Sequence, residues 1–596
     1  MSEKIISPGV FTNEVDQSFL PAGIANIGAA IIGPTVKGPA YVPTVVSSYS
    51  EFVQKFGNVF TSGSGASKQT YKYLTNHAVQ QYLRNGESVT VVRVMSGSYA
   101  KAYSNVISTG SYADSATFGS GNAGASFRLH LHSDGAIYNS GQSAAATAGS
   151  GSAFDETTNN LLNSGSVDNI RWEVSNVNLN KGTFTLLLRR GDDNINSKTI
   201  LEAWSNLTLD PNSSNYIARR IGDQVNTLVD AGTSQPFLQL SGSYPNKSSY
   251  VRVEVLKTTY NYLNNNGTIS NNAYSASLPA PVSGTFGFGS DGDIQHPSNF
   301  FEKIDNSNTQ GYTGTVYSDA INLLANQDEY DINLLVTPGL FNNYHGTQIT
   351  AAKNMIESRG DAFYVVDPIT YGMNISDAVT QADSYDSSYM AMYWPWVQIP
   401  DNELGRNVWV PASVLIPSIY AFNDRVSEPW FAPAGLNRGG IDIGIQAERK
   451  LSQNNRDTMY DSAVNPIATF PGQGLVVYGQ KTLQKKASAL DRINVRRLLI
   501  ASKKFIASTS RFLVFENNTS ATRNRFTSIV NPYFENIQQR QGLYAFKVVM
   551  DDSNNTPDVV DRNELRGAIY LQPAKTAEFI IIDFIVQPTG AVFPGE

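Results

Sequence analysis

Between Asp331 and Pro368 the chain reads "DINLLVTPG", then "GTQITAAKNMIESRG", then "DAFYVVDP". An apolar run, a stretch with helical spacing and a second apolar run predict strand, helix, strand. That succession is the unit of a parallel sheet covered on both faces. A similar alternation ends near residue 95, in "HAVQQYLRNGESVTVVRV". Between the two parts the composition changes. From Ser96 to about Ser164 the chain is rich in Gly, Ser and Ala. From Asp168 to about Asn306 it is Asn-rich, with strand-like "IRWEVSNVN", "GTFTLLLRR" and "SYVRVEVLK" set apart by turn residues. The pattern predicts a multidomain α+β chain: a discontinuous α/β body, β-rich inserts on its outside, and an α+β carboxy-terminal domain. The expected divisions are an arm at 1–20, a body at 21–95 plus 307–510, inserts at 96–164 and 165–306, and a terminal domain at 511–596.

Bulk properties narrow the function classes. At 596 residues the chain is too long for one core. A net charge of -7 argues against a protein that coats nucleic acid. The absence of cysteine excludes disulfides, thiolate metal sites and cysteine nucleophiles. The start "MSEKIISPGVFTNEV" has no apolar signal-peptide core, and no run reaches the roughly 18 apolar residues of a membrane helix. A soluble protein made in a cytoplasm is expected, without membrane insertion.

Motifs for chemistry are weak. "LHLH" sets His130 and His132 on one side of a strand, but no third ligand is near, and a surface strand is the better reading. "GPTVKGP" around Lys37 lacks the Gly-Lys-Ser/Thr ending of a phosphate loop. "FGFGSDGD" (Phe286–Asp293) lacks calcium-loop spacing and reads as a tight turn. No catalytic, cofactor or metal site is expected, and no enzyme.

Two features remain. In "KTLQKKASALDRINVRRLLIASKKFIASTSRF" the spacing of Leu483, Ala487, Leu490, Leu498, Ala501 and Phe505 predicts one long amphipathic helix. Lys481, Lys485, Arg492, Arg496 and Lys503 then fall in a stripe about 60° wide on the opposite side. Either that stripe is a solvated face or it meets an acidic partner.

The second feature is at the ends. In Phe579–Val586, Ile580, Ile582, Phe584 and Val586 face one way, and Phe579, Ile581 and Ile585 the other, with Asp583 the one polar interruption. Such a strand wants cover above and below. Near the start, Val10, Phe11, Thr12, Asn13, Glu14 and Val15 offer a short edge strand entered through Pro8-Gly9. The two strands either pair within their own chain or are added to a neighbour's sheet.

Several stretches resemble the tail sheath proteins of contractile-tailed (myovirus-type) bacteriophages. "SPGVFTNEVD" and "IIGPTVKGPAYVPTVVSSYSEFVQKFG" are similar to that family's amino-terminal region. "PWFAPAGLNRGGI", "NPIATFPGQGLVVYGQKTL" and "ALDRINVRRLL" are similar to its body, and "NNTPDVVDRNELRGAIYLQPAKTAEFIIIDF" to its carboxy-terminal domain. The resemblance covers roughly the first 95 and the last 280 residues. It implies a subunit that polymerises as stacked hexameric rings around a tail tube protein and contracts irreversibly, driven by energy held in the lattice. Baseplate and tail terminator proteins are the further partners implied, and the virion the location after assembly in the host cytoplasm. It further implies that Val10–Val15 and Phe579–Val586 exchange strands between neighbours. The carboxy-terminal domain would supply the inner surface and residues 96–306 the outer one. The basic stripe would face the tube or another subunit. The nearest rival is the sheath of a phage-tail-like bacteriocin or extracellular contractile injection particle, and a β-rich surface adhesin is a distant alternative.

Overall fold

The long apolar runs form strands buried on both faces, because each lies between helical layers. In the computed structural model, which describes residues 28–62, 69–111, 124–139, 169–193, 197–293 and 303–578, eight strands make one sheet. Its order is Thr44–Val46, Val89–Arg93, Ala29–Gly33, Leu334–Phe341, Phe363–Asp367, Met390–Trp394, Val464–Phe470, Gly474–Val477. The two outermost strands are antiparallel to their neighbours and the inner six run parallel. Ala29–Gly33 is the hinge of the topology. It pairs with Val89–Arg93 on one side and with Leu334–Phe341 on the other, Ala29 opposite Leu334 and Ile31 opposite Val336.

Helices Leu74–Tyr82 and Ala412–Val426 cover one face, where Leu74, Val79, Val414 and Ile416 meet Ile31, Val336 and Val365. Helices Tyr317–Leu323, Asn342–Arg359, Ile375–Asp383 and Gln453–Asp461 cover the other, packing Ile321, Ile356, Ala378 and Met459 on Ile32, Leu335 and Tyr364. Helix Asn342–Arg359 ends at Gly360, whose φ of 68° is the left-handed turn that suits glycine.

Leaving the sheet after Arg93, the chain builds two four-stranded antiparallel sheets. One is ordered Ile200–Thr208, Thr183–Arg190, Ile170–Asn178, Ser283–Thr285; the other Val251–Val255, Ala125–Asp134, Tyr99–Ile107, Ser290–Asp291. Inward and outward residues alternate, as in Ile170, Trp172 and Val174 against Arg171 and Glu173. Ala102, Phe127, Trp172, Leu186, Val251 and Phe286 share one hydrophobic cluster, and Trp172 Nε1 donates to Ser104 Oγ at 2.9 Å across the sheets. The two stretches expected as separate inserts thus contribute to one core, which corrects the division placed at residue 164. The local strand signals could not show which sheets would face each other.

This outer unit is fastened where it leaves the body. The Asp134 carboxylate accepts from Ala40 N at 2.9 Å and Lys101 Nζ at 2.9 Å, while buried Arg93 donates to the Gly38 and Asp134 carbonyls at 2.6 and 2.7 Å.

At the carboxy-terminal side, helices Ile493–Ser510 and Ser520–Gln539 lead to a two-stranded antiparallel ribbon, Leu543–Val549 with Ala568–Pro573. Leu498, Phe526, Val530, Phe534 and Ile537 form a small core under it. The single helix expected from Lys481 onward is corrected: it begins only at Ile493. Before that the chain doubles back. Lys481 bridges antiparallel to Arg492, Thr482 N donates to Asp491 O at 3.0 Å, and Thr482 Oγ1 to Leu490 O at 3.0 Å. Hydroxyls close at hand offer the backbone an alternative to the helix, and Ala487 ends up exposed.

Candidate functional site

An open, doubly wound sheet takes ligands at the carboxyl ends of the strands where the winding reverses. Here that point lies between Ala29–Gly33 and Leu334–Phe341, and the chain itself fills it. Gln310, fully buried, accepts from Leu74 N at the start of a helix (2.7 Å) and donates to the Pro338 carbonyl (3.2 Å). Thr309 Oγ1 donates to the Gly339 carbonyl at 2.6 Å. A Cβ on Gly33 would lie 2.2 Å from Thr75 Oγ1, and one on Gly339 2.3 Å from Gln310 Nε2. The helix amide that would otherwise greet an anion already has a partner.

Among the described residues no three His, Asp or Glu side chains are grouped to hold a metal, and no helix is long and apolar enough to cross a membrane. His130 and His132 sit on one strand as expected, each engaged elsewhere. His130 Nε2 is 2.8 Å from Glu254 Oε2 and His132 Nε2 is 3.1 Å from the Ser248 carbonyl. Burial, seconded by the charge of Arg252 at His130 and of Lys101 at His132, holds each imidazole down to about 4. Both are therefore neutral at pH 7.

The five basic residues do not line up on one helix. Arg496 is buried, its guanidinium 4.0 Å above the Tyr389 ring and hydrogen-bonded to Ser388. Lys503 Nζ reaches the Tyr389 hydroxyl at 3.0 Å. Lys485 Nζ donates to the Asp383 carbonyl at 2.6 Å, and its amide to Asp386 at 2.9 Å. Lys481 Nζ donates to the Tyr460 carbonyl at 2.7 Å and lies 4.4 Å from that ring's centroid. Lys485 and Lys503 are exposed. The structure brings Arg496 and Lys503 together at Tyr389 and Lys481 together with Arg492, and around the second pair is a site that the sequence did not announce.

Glu578 is its centre. Its carboxylate accepts from Arg492 Nε at 2.7 Å, Arg492 Nη2 at 2.9 Å, Gln480 Nε2 at 3.0 Å and Tyr460 OH at 2.9 Å. Gln480 also donates to Thr576 Oγ1 at 2.6 Å. Burial pushes the Glu578 carboxyl up, but the donors from Arg492 and Gln480 outweigh it and leave the group below its ordinary value. Burial likewise lowers Lys481, with the neighbouring Arg492 charge adding to it. A two-pronged Arg–carboxylate pair with two neutral donors is a strong, directional joint. The one signal for it in sequence is position: Glu578 directly precedes the apolar run.

The ribbon is the second element of interest. Phe546, Val548, Ile569 and Leu571 pack inward, while Tyr544 and Tyr570 are 64% and 62% exposed. Among the described residues neither outer edge of the ribbon is paired. The expected arm strands, Val10–Val15 and Phe579–Val586, lie outside the described residues.

Comparison with known proteins gives these features a context. Residues 310–483 match the phage tail sheath protein central domain and residues 485–587 the phage tail sheath C-terminal domain. The family's division thus falls earlier in the chain than the expected 511. The chain is 40% identical to the tail sheath protein of Vibrio phage KVP40 over 231 residues, 38% of this chain and 33% of the relative. It is 32% identical to the tail sheath protein of Enterobacteria phage T4 over 295 residues, 46% and 45% of the two. The chain therefore spans a third to just under half the length of these curated relatives. In fold it is similar to the crystal structure of a sheath tail protein from Listeria innocua, with a TM-score of 0.51 at 10% identity over 92% of this chain and 96% of that one.

Proposed function

From the central and C-terminal domains of phage tail sheath proteins that this chain carries, we propose that it is the building block of a contractile phage tail sheath. In this reading subunits polymerise as stacked hexameric rings around a tail tube, and the finished sheath belongs to the virion. Contraction drives the tube through the host envelope. The two domains in tandem, in family order, are the observation that carries the reading. The plugged crevice agrees with it, since work drawn from a metastable lattice needs no nucleotide site.

Strand exchange supplies the linkage. A two-stranded ribbon alone is marginal in water, and edges unpaired among the described residues are templates for a third and fourth strand. The arms Val10–Val15 and Phe579–Val586 of neighbouring copies are the strands we assign to them. Main-chain hydrogen bonds hold such a joint whatever the side chains do, so subunits can turn against each other while staying linked. The carboxy-terminal unit faces inward and the two-sheet unit outward. Tube and baseplate contacts belong to the same reading, with Lys485 and Lys503 the exposed members of the basic set.

Electron microscopy of the purified protein tests this: tubular particles with six-fold rings are expected. A protein that stays monomeric at high concentration, and is not recruited by tail tubes, would refute the assignment. Removing residues 1–18 should leave a folded subunit that forms no long sheaths.

A further inference from the structure

We propose that the Glu578 joint is a fixed root for the carboxy-terminal arm, tying the segment beyond it to the body rather than to the ribbon from which it emerges. The inference rests on the strand-exchange reading and assigns the residues that anchor the exchanged segment. Among the described residues the ribbon's last main-chain bond is Ala574 N to Gly542 O at 3.1 Å. Within the next four residues the chain is captured by the body, through Gln480 at Thr576 and through Arg492, Gln480 and Tyr460 at Glu578.

The captors are themselves held. Ile493 N donates to the Gln480 carbonyl at 2.9 Å, Arg492 bridges to Lys481, and Lys481 clasps Tyr460. Tyr460 lies in the last turn of a helix packed on strand Val464–Phe470, and Gln480 follows strand Gly474–Val477. A pull on the segment after Glu578 is therefore delivered to the rim of the eight-stranded sheet. Through Arg492 it also reaches the start of helix Ile493–Ser510, which carries Leu498 of the small core. A root fixed next to Phe579 also restricts where the arm begins its search, which raises its effective concentration at a neighbour's sheet edge.

The test compares full-length protein, Glu578→Ala, Arg492→Glu, the charge swap Arg492→Glu with Glu578→Arg, and a chain ending at Glu578. Each is checked for native circular dichroism and then assayed for assembly by sedimentation and microscopy. Glu578→Ala is expected to stay folded and to need about ten-fold more protein to assemble, the scale of one charge-assisted joint. The swap should recover part of that loss relative to Arg492→Glu alone. If the truncated chain fails to assemble while folded Glu578→Ala assembles like the parent, the root is wrong and strand exchange stands. Should Glu578→Ala misfold, a folded swap with no recovery overturns the root equally. A truncated chain that assembles normally removes the root and the carboxy-terminal strand exchange together.

Discussion

The body sheet and the carboxy-terminal ribbon are built from similar residues to opposite ends. In the body, Ile31, Leu335, Tyr364 and Met392 are fully buried, each strand having neighbours on both sides and helices above and below. In the ribbon, Phe546, Val548, Ile569 and Leu571 reach only partial burial, and two tyrosines stand more than half exposed. The body satisfies its own backbone and apolar surface. Among the described residues the ribbon leaves both incomplete. A molecule divided in this way can be stable alone and still gain on assembly.

The largest expected effect breaks the self-sufficient half. Leu335→Ala, at a fully buried position, should cost about 2–5 kcal/mol in denaturant unfolding. A cost below about 1 kcal/mol would mean that the body core is looser than described.

Next is a pH effect within the same half. Burial lifts the Asp367 carboxyl from its ordinary 3.8 to about 7, against the lowering pull of the Ser413 hydroxyl and amide. The unfolded chain gives up this proton near 3.8 and the folded one keeps it to about 7. The folded state therefore holds the extra proton in that window, and stability should fall as pH rises through it, by on the order of a few kcal/mol. Asp367→Asn should flatten that slope when unfolding is followed from pH 4 to 8.

Gln310→Ala removes the acceptor for Leu74 N in a closed place and should cost about 1–3 kcal/mol. The same variant shows whether the plug is only structural, because a newly opened crevice that bound phosphate would register in calorimetry.

The smallest effect on stability sharpens the contrast most. Tyr544→Ala should change unfolding of the isolated subunit by no more than about 0.5 kcal/mol, since the side chain is mostly in water. Assembly by the same variant should be impaired; equal assembly would place the covering chain elsewhere.

Local pattern carried the body. "DINLLVTPG", "GTQITAAKNMIESRG" and "DAFYVVDP" become strand Leu334–Phe341, helix Asn342–Arg359 and strand Phe363–Asp367, because unbroken apolar runs have one good use in an α/β chain. What escaped was set by distant partners. The shared core of the two-sheet unit joins Phe127 to Phe184 and Leu129 to Val253, pairings that no local window contains. The Glu578 joint collects Tyr460, Gln480 and Arg492 from far upstream. Residues 481–490 show the opposite failure: a helical spacing was present, but Thr482 and Ser488 bound the backbone and held the chain in a loop.

The place of Ala29–Gly33 in the sheet bears on how the molecule is made. It needs Val89–Arg93 on one flank and Leu334–Phe341 on the other, so its second flank is still untranslated while the outer unit between them emerges from the ribosome. The two antiparallel sheets can close on nearby partners in that interval, whereas the middle of the body waits with one apolar side open. Slow synthesis or early termination anywhere before residue 334 should thus expose a half-built sheet to aggregation, and chaperone demand during synthesis should concentrate there.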